Sequence, residues 1–198
     1  MIAFVRGKYA IKTPARVVVD VNGVGYDLQI SLNTYAAISN VESGQLHTYL
    51  HITENAQTLF GFADIAEKDL FLQLISVSGV GASTARMMLS GMKPDEIIRA
   101  IVQGNTKQLE GIKGIGKKSA ERLVLELRDK LSKIPLNAHQ LTGGGGFTKS
   151  NVQQDAIQAL ISLGIQKAVA EKAIDKAIQS EGAEVSLEIL IKQALKNC

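Results

Sequence analysis

The sequence predicts a multidomain protein, with an N-terminal β-barrel, a central all-helical domain, a flexible linker and a C-terminal three-helix bundle. Three observations support this prediction. Short Val- and Ile-rich runs separated by turn residues fill the first third, a Gly-apolar-Gly motif occurs twice in the middle, and four consecutive glycines precede three helical patterns. We place the domains at 1–64, 65–134, 135–150 (the linker) and 151–198.

The composition is that of a globular protein. Of its 198 residues 45% are hydrophobic, and the apolar runs are far shorter than the roughly 20 residues of a membrane-spanning helix. The N-terminus does not have the pattern of a signal peptide, so we expect a cytoplasmic protein. Because the single cysteine is Cys198 and there are only three histidines, we expect no disulfide, metal site or cofactor.

Positive charge is concentrated in the middle of the chain. Residues 1–64 carry 4 basic and 5 acidic side chains, residues 65–134 carry 12 and 8, and residues 135–198 carry 6 and 6. A local excess of +4 is what a phosphate-binding surface requires. Charge alone would equally fit the solvated face of ordinary helices, so the motifs must decide.

The first domain is predicted to be a five-stranded barrel. The β-rich runs are residues 2–12, 15–21, 24–31, 45–53 and 57–62. Asn22-Gly23 predicts a two-residue hairpin, since both residue types tolerate positive φ. A short helix at Leu32–Ile38, between the third and fourth strands, is typical of the OB-fold.

Two features of this barrel are candidates for function. His47 and His51 alternate with apolar residues, which predicts that they lie on the outward face, solvated in preference to a chemical role. The loop 53–56 is predicted to lie at the tip of the barrel and carries one carboxylate, Glu54. The few aromatic residues, among which Trp is absent, disfavour binding of single strands by base stacking.

The central domain contains an internal repeat. Gly79-Val80-Gly81 and Gly114-Ile115-Gly116 recur at an offset of 35 residues with matching apolar flanks. Each motif lies between two predicted helices. Those helices are residues 69–76 and 83–90 for the first copy, and 106–111 and 118–133 for the second. The domain is therefore predicted to be a tandem helix-hairpin-helix.

The repeat has the chemistry of a DNA-backbone site. Paired glycines let a phosphate approach the main chain, and the following helix points unpaired N–H groups and its positive dipole end at the anion. Lys117, Lys118 and Arg122 add charge to the second copy, while Ser83 stands where the first could have had a lysine. Such contacts bind backbone without selecting base sequence. The predicted contact residues are Gly79, Val80, Gly81, Ser83, Gly114, Ile115, Gly116, Lys117, Lys118 and Arg122.

The linker sequence partly matches the motif of a nucleotide-binding loop. Gly143 followed by Lys149-Ser150 nearly matches G-x-x-x-x-G-K-[ST]. Position 148 is Thr where the motif needs Gly, and no buried strand precedes the run. We therefore favour a flexible tether.

The last domain is predicted to have three helices and a protein partner. The helical patterns are 152–163, 166–180 and 186–196, and the net charge is zero, which disfavours nucleic acid. Apolar positions that could dock a partner are Leu160, Leu163 and Ile165, with core packing the competing interpretation for each. An inert stabilising appendage is the alternative for the whole bundle.

Several stretches together resemble the RuvA family of bacteria. They are Asn22-Gly23-Val24-Gly25-Tyr26, Leu59-Phe60-Gly61-Phe62, Gly79-Val80-Gly81, Leu89-Ser90-Gly91-Met92 and the run Gly114–Leu123. The resemblance implies a non-catalytic homotetramer that binds four-way Holliday junctions and holds them open and square. It also implies recruitment of the hexameric RuvB ATPase for branch migration in recombination and DNA repair, with RuvC as a further candidate partner and one or two tetramers per junction.

The same resemblance gives the loop at Glu54 and Asn55 a role. In the family this loop forms an acidic pin at the junction centre, usually with two adjacent carboxylates. This sequence has Asn55 at the second position, so we expect a weaker pin.

Two alternatives from other functional classes remain. A repair enzyme would need a nucleophile with its base, a metal cluster or a complete nucleotide loop, and none is recognisable in the sequence. A single-strand-binding adaptor would prefer unpaired DNA.

Overall fold

The computed structural model describes residues 1–132, 149–181 and 186–196. The chain divides into two compact units, Met1–Gln140 and Leu141–Cys198. The predicted linker 135–150 lies outside the described residues as far as residue 148, and a helix begins at Lys149.

Five strands of the first unit form a closed barrel. They are β1 (Phe4–Thr13), β2 (Arg16–Val21), β3 (Val24–Ile30), β4 (Ser43–Ile52) and β5 (Gln57–Phe62). Around the barrel the order is β1-β2-β3-β5-β4, with β3 parallel to β5 and the other pairs antiparallel. Inward-facing Val, Leu and Ile side chains, such as Val17, Val19 and Leu28, fill the interior without exposure. The predicted OB-like barrel is confirmed.

The hairpin and helix-cap residues of the barrel have the geometry that their residue types predict. Asn22 and Gly23 have φ values of 51° and 89°, which allows the tight β2–β3 hairpin. Helix α1 spans Leu32–Ile38, as predicted, and the hydroxyl of Ser31 caps it by accepting from the backbone N–H of Thr34. At the other end of α1 the ammonium of Lys12 donates to the carbonyls of Ser39 at 2.9 Å and Val41 at 2.8 Å.

Five helices follow in the same unit. They are α2 (Ile65–Ile75), α3 (Ala82–Gly91), α4 (Pro94–Val102), α5 (Thr106–Glu110) and α6 (Lys117–Leu131). Sequence analysis did not predict α4, although Pro94 at its first position and Glu96, which accepts from the Lys93 backbone at 2.9 Å, are helix-start signals. Ile97 and Ile101 of α4 are fully buried.

An aromatic cluster joins the barrel to these helices. Phe71 of α2 packs against Phe62, Phe60 and Tyr49 of the barrel, with ring centroids 4.9, 5.1 and 5.7 Å apart. Phe60 and Phe62 of β5 therefore belong to the same hydrophobic core as the helices, whereas Leu59 packs in the barrel interior. The barrel and the helix-hairpin-helix region consequently form one compact unit.

Three helices form the second unit. They are α7 (Lys149–Ser162), α8 (Lys167–Glu181) and α9 (Leu187–Lys196), and the predicted three-helix organisation is confirmed. Small and branched side chains such as Ala156, Leu160, Ile174 and Leu190 close a separate core. Gly164, with φ 92°, follows the end of α7.

Candidate nucleic-acid interface

The first Gly-X-Gly motif is a tight turn between α2 and α3. The N–H of Val80 donates to the carbonyl of Val77 at 3.0 Å. Gly79 has φ 90°, a left-handed value that disfavours other residues. Gly81, with φ −81° and ψ 167°, is the extended residue that precedes α3.

The second motif repeats this geometry between α5 and α6. The N–H of Ile115 donates to the carbonyl of Ile112 at 3.0 Å, and Gly114 has φ 93°. Gly116, with φ −91° and ψ 169°, precedes α6. The repeat in sequence is thus a repeat in backbone conformation.

Each hairpin presents unpaired amides to open space. A glycine at the N-cap has no side chain to accept a hydrogen bond, and the first three N–H groups of a helix have no intrahelical acceptor. In α6 these groups belong to Lys117, Lys118 and Ser119. A Cβ built on Gly79, Gly81, Gly114 or Gly116 would meet no atom within 4 Å. An anion can therefore reach the main chain at both turns.

Two of the predicted contact residues, Val80 and Ile115, are buried instead of lying on the surface. Val80 and Ile115 are buried, at 4% and 5% exposure, and their N–H groups already bond within the turns. Their side chains and amides hold the hairpins in shape, because the apolar residue between the glycines anchors the turn to the core.

The cationic side chains are distributed unequally. Lys117 and Lys118 are exposed at the start of α6, beside the open amides. Ser83 occupies the corresponding first turn of α3 and is exposed without charge. The second hairpin therefore has the stronger attraction for a phosphate.

Arg122 bonds within the protein. Its Nη1 donates to the carbonyl of Ser78 at 3.0 Å, and its Nε lies 3.9 Å from a carboxylate oxygen of Glu126. Because Ser78 belongs to the first hairpin, the Arg122 side chain joins the two hairpins. The sequence predicts a DNA contact for this side chain.

Sequence analysis missed a polar cleft between the barrel and the first hairpin. The barrel contributes Gln29, His51 and Thr58, and the hairpin helix contributes Ser83 and Arg86. The guanidinium of Arg86 donates to Gln29 Oε1 at 2.6 Å and to the carbonyl of Ala15 at 3.1 Å. No sequence motif pairs residues so distant along the chain, so only the fold could show this cleft.

The two histidines lie on the outside of the barrel with intermediate exposure. Both are half-buried, and the ring of His51 lies 6.0 Å from that of Tyr49 and 6.3 Å from that of Phe60. Alternation correctly put His51 outside the barrel. His51 also lines the open cleft described above, and the preference for a solvated over a chemical role stays a prediction.

The predicted pin is a two-residue tip. Thr53 and Ala56 pair across the β4–β5 connection, with the N–H of Thr53 donating to the carbonyl of Ala56 at 2.9 Å. The Thr53 hydroxyl accepts from the N–H of Ala56 at 3.2 Å. Glu54 and Asn55 lie between them and are exposed.

The predicted docking residues have three different environments. Leu160 is 0% exposed and belongs to the core of the three-helix unit. Ile165 is half-buried against that core, whereas Leu163 is 64% exposed. Of the three, Leu163 is the residue available to a partner.

The described residues contain no group of three or more His, Cys, Asp or Glu side chains that could hold a metal ion. Over the same residues, no helix is both long enough and apolar enough to cross a membrane.

The fold and the paired hairpins define a class: an OB-like barrel joined to a tandem helix-hairpin-helix, a framework for holding nucleic-acid backbone. Three family models match the chain: "RuvA N terminal domain" over residues 1–61, "SAM-like Helix-hairpin-helix tandem" over 71–129 and "RuvA, C-terminal domain" over 151–197. The chain belongs to the RuvA family.

Relatives match over their full length. Each is described as "Holliday junction branch migration complex subunit RuvA". The protein of Cytophaga hutchinsonii is 45% identical, with 99% of each chain covered. That of Citrifermentans bemidjiense is 44% identical over 99% of this chain and 98% of its own. That of Bacteroides fragilis is 43% identical, again with 99% of each covered.

Proposed function

We propose that this chain binds four-way Holliday junction DNA through its phosphate backbone, without sequence specificity, as a subunit of a branch migration complex. The observation that carries the proposal is the pair of hairpins with matching geometry, both open to an approaching phosphate. Main-chain amides and lysines attract phosphates whatever the bases are, so such a surface holds every arm of a junction equally well.

We propose that the barrel loop completes the site. Glu54, exposed at the tip of the β4–β5 connection, would act as the pin at the junction centre. A carboxylate repels converging phosphates and so steers separated strands outward. Asn55 contributes no charge, which makes this pin weaker than one with two adjacent carboxylates.

Partners follow from the relatives' description as subunits of a complex. We propose that this chain is cytoplasmic and non-catalytic, that it acts as a homotetramer, and that the motor is the RuvB ATPase. RuvC is a further candidate partner, and one or two tetramers per junction are both compatible with the proposal. The three-helix unit, whose Leu163 is displayed to solvent, is the proposed docking element for the motor.

Lys117→Ala/Lys118→Ala tests the proposal. Removing two phosphate contacts should weaken junction binding for unrelated arm sequences, and lower the slope of log K against log salt by about 0.9 per lost contact in each protomer. The matched control is Arg128→Ala/Lys130→Ala, at the other end of the same helix. An unchanged salt slope in the first variant would refute backbone binding by this hairpin.

Competition among a static junction, a linear duplex and a single strand tests the choice of DNA. We expect the junction to displace the other two. Preference for the single strand would instead support the adaptor function, in which unpaired bases are the ligand.

A further inference from the structure

Helix α3 carries the first hairpin at its N-terminus, and its C-terminal end is held by the barrel's helix. The side-chain amide of Asn33, in α1, donates to the carbonyls of Leu89 at 2.6 Å and Met92 at 2.9 Å. These carbonyls lie at the end of α3, where a helix leaves acceptors without intrahelical donors. The N–H of Leu32 adds a bond of 3.1 Å to the hydroxyl of Ser90.

The middle of α3 is bonded to the barrel itself. Arg86 lies one turn into the helix and bonds to Gln29 Oε1 at 2.6 Å and to the Ala15 carbonyl at 3.1 Å. These two acceptors join the middle of α3 to β3 and to the β1–β2 turn. With Asn33 at the far end, α3 is bonded to the first domain at its middle and at its C-terminal end.

The structure assigns to Arg86, Gln29 and Asn33 the role of positioning residues, which hold the first hairpin at a fixed place relative to the barrel loop that carries Glu54. The assignment rests on the DNA binding proposed above. A junction must meet the hairpin and this loop together, so it binds most tightly when their separation is already set. A linear duplex has no separated strands to place around the loop, so its binding depends less on that separation.

Gln29→Ala and Asn33→Ala test this role. Neither substitution changes the charge, and Asn33 bonds to the end of α3 away from the hairpin. We expect each to lower junction affinity about fivefold or more, through lost preorganisation, with less than a twofold change for duplex. The slope of affinity against salt should stay that of the unmodified protein, because no phosphate contact is removed.

Asn40→Ala is the matched control, since Asn40 is an exposed amide just beyond α1. Equal losses for junction and duplex, or an unchanged ratio in both test variants, would overturn the assignment. Arg86→Met separates positioning from direct contact. A salt slope lowered by about 0.9 per protomer would make Arg86 a phosphate ligand and remove it from the positioning set.

A second measurement needs no DNA, so it stands even where the proposed function fails. Spin labels are attached at Asn55→Cys and Ser83→Cys in a Cys198→Ser background, and labelled protein is diluted with unlabelled protein. We expect a narrow label-to-label distance distribution that broadens with Gln29→Ala and with Asn33→Ala. Distributions unchanged by either substitution would refute the positioning role.

Discussion

The two glycines of each hairpin differ in backbone conformation and in the reason that a glycine suits the position. The first, Gly79 or Gly114, has a positive φ and is required by the backbone of the turn. The second, Gly81 or Gly116, has dihedral angles that any residue adopts, and open space where a Cβ would lie. Steric constraints of the fold therefore do not require the second glycine, and its open position is compatible with the phosphate contact proposed above.

Gly116→Ala should separate binding from stability. The added methyl has no neighbour within 4 Å, so we expect the free energy of unfolding to change by less than about 1 kcal/mol. Losing one charged hydrogen bond to phosphate should lower junction affinity about tenfold or more, measured by titration. Gly114→Ala is the comparison, because its φ of 93° should cost about 1–2 kcal/mol in stability. Wild-type affinity in a folded Gly116→Ala protein would show that no phosphate approaches there.

Glu67, in the first turn of α2, carries a buried carboxyl that faces the start of α1, at 4% exposure. It accepts hydrogen bonds from the hydroxyls of Ser31 and Thr34, the latter at 2.6 Å. Burial raises the pKa of Glu67 and nearby Asp64 adds to the rise, although the two hydroxyl bonds oppose it. The ionised form is thus less stable in the folded protein than in the unfolded chain.

The pH dependence of folding should show this shift. Between the ordinary pKa of 4.5 and the raised value, the folded state binds more protons than the unfolded chain. The contribution of Glu67 to stability is therefore largest below pH 4.5, falls as the pH rises through the raised pKa, and is constant above it. Denaturant titrations of Glu67→Gln across this range should lack that fall, while Glu121→Gln, at an exposed site, should retain it. A wild-type protein and a Glu67→Gln variant with parallel pH profiles would contradict the shift.

Among the elements, the β4–β5 loop carries one exposed carboxylate, Glu54, beside the uncharged Asn55. Two charges about 10 Å apart in water interact by about 0.4 kcal/mol, and salt reduces this value. One carboxylate therefore decides little by itself. In the proposed homotetramer four copies of Glu54 would face several phosphates, which brings the sum to about a few kcal/mol where the local dielectric is low.

Changing the charge of this loop should change selectivity. We expect Glu54→Gln to raise affinity for both junction and duplex, with the larger proportional gain for duplex, and Asn55→Asp to do the reverse. Glu42→Gln provides the control, since it removes one exposed carboxylate just before β4 begins, far from the tip. Parallel titrations against a static junction and a matched duplex measure the ratio. Identical ratios in wild type and both loop variants would remove the pin role from this loop.

At the scale of the whole molecule, the described residues of the two units close separate hydrophobic cores, and the barrel interior adds a further cluster within the first unit. Phe60, Phe62 and Phe71 connect the barrel to the hairpin helices in the first unit. The second unit has its own core, built around Leu160 and Ile174. A cut between the units should therefore leave the first unit folded.

Truncation after Thr142 should separate DNA binding from motor coupling. We expect junction affinity to stay within about twofold of the full chain, because every proposed phosphate contact belongs to the first unit. Branch migration driven by ATP with RuvB should be lost. Leu163→Asp in the full chain tests the proposed docking residue by itself. This side chain is 64% exposed, so replacing it should leave the core of the second unit intact. Full-rate migration by the truncated protein would show that the motor docks elsewhere.

Local signals were enough to predict most elements. Asn22-Gly23, the alternating apolar runs and the repeated Gly-X-Gly motif each depend on neighbours in the chain, so the strands, α1 and both hairpins were predicted close to their observed positions. Helix α4 was missed although its start signals are local. The burial of Val80 and Ile115 was missed for another reason: a turn pattern does not show which side of the turn faces the core.

The sequence by itself determined the kind of protein, because turn chemistry, periodicity and the placing of lysines act over a few residues and are visible along the chain. Only the tertiary structure decided how the site is held together. Arg122 reaches Ser78 across 44 positions, and Arg86 reaches Gln29 across 57. The partial burial of His51 and the burial of Glu67 likewise depend on elements far apart in sequence. Such contacts arise when the barrel and the helices close a shared core, and no local pattern encodes them.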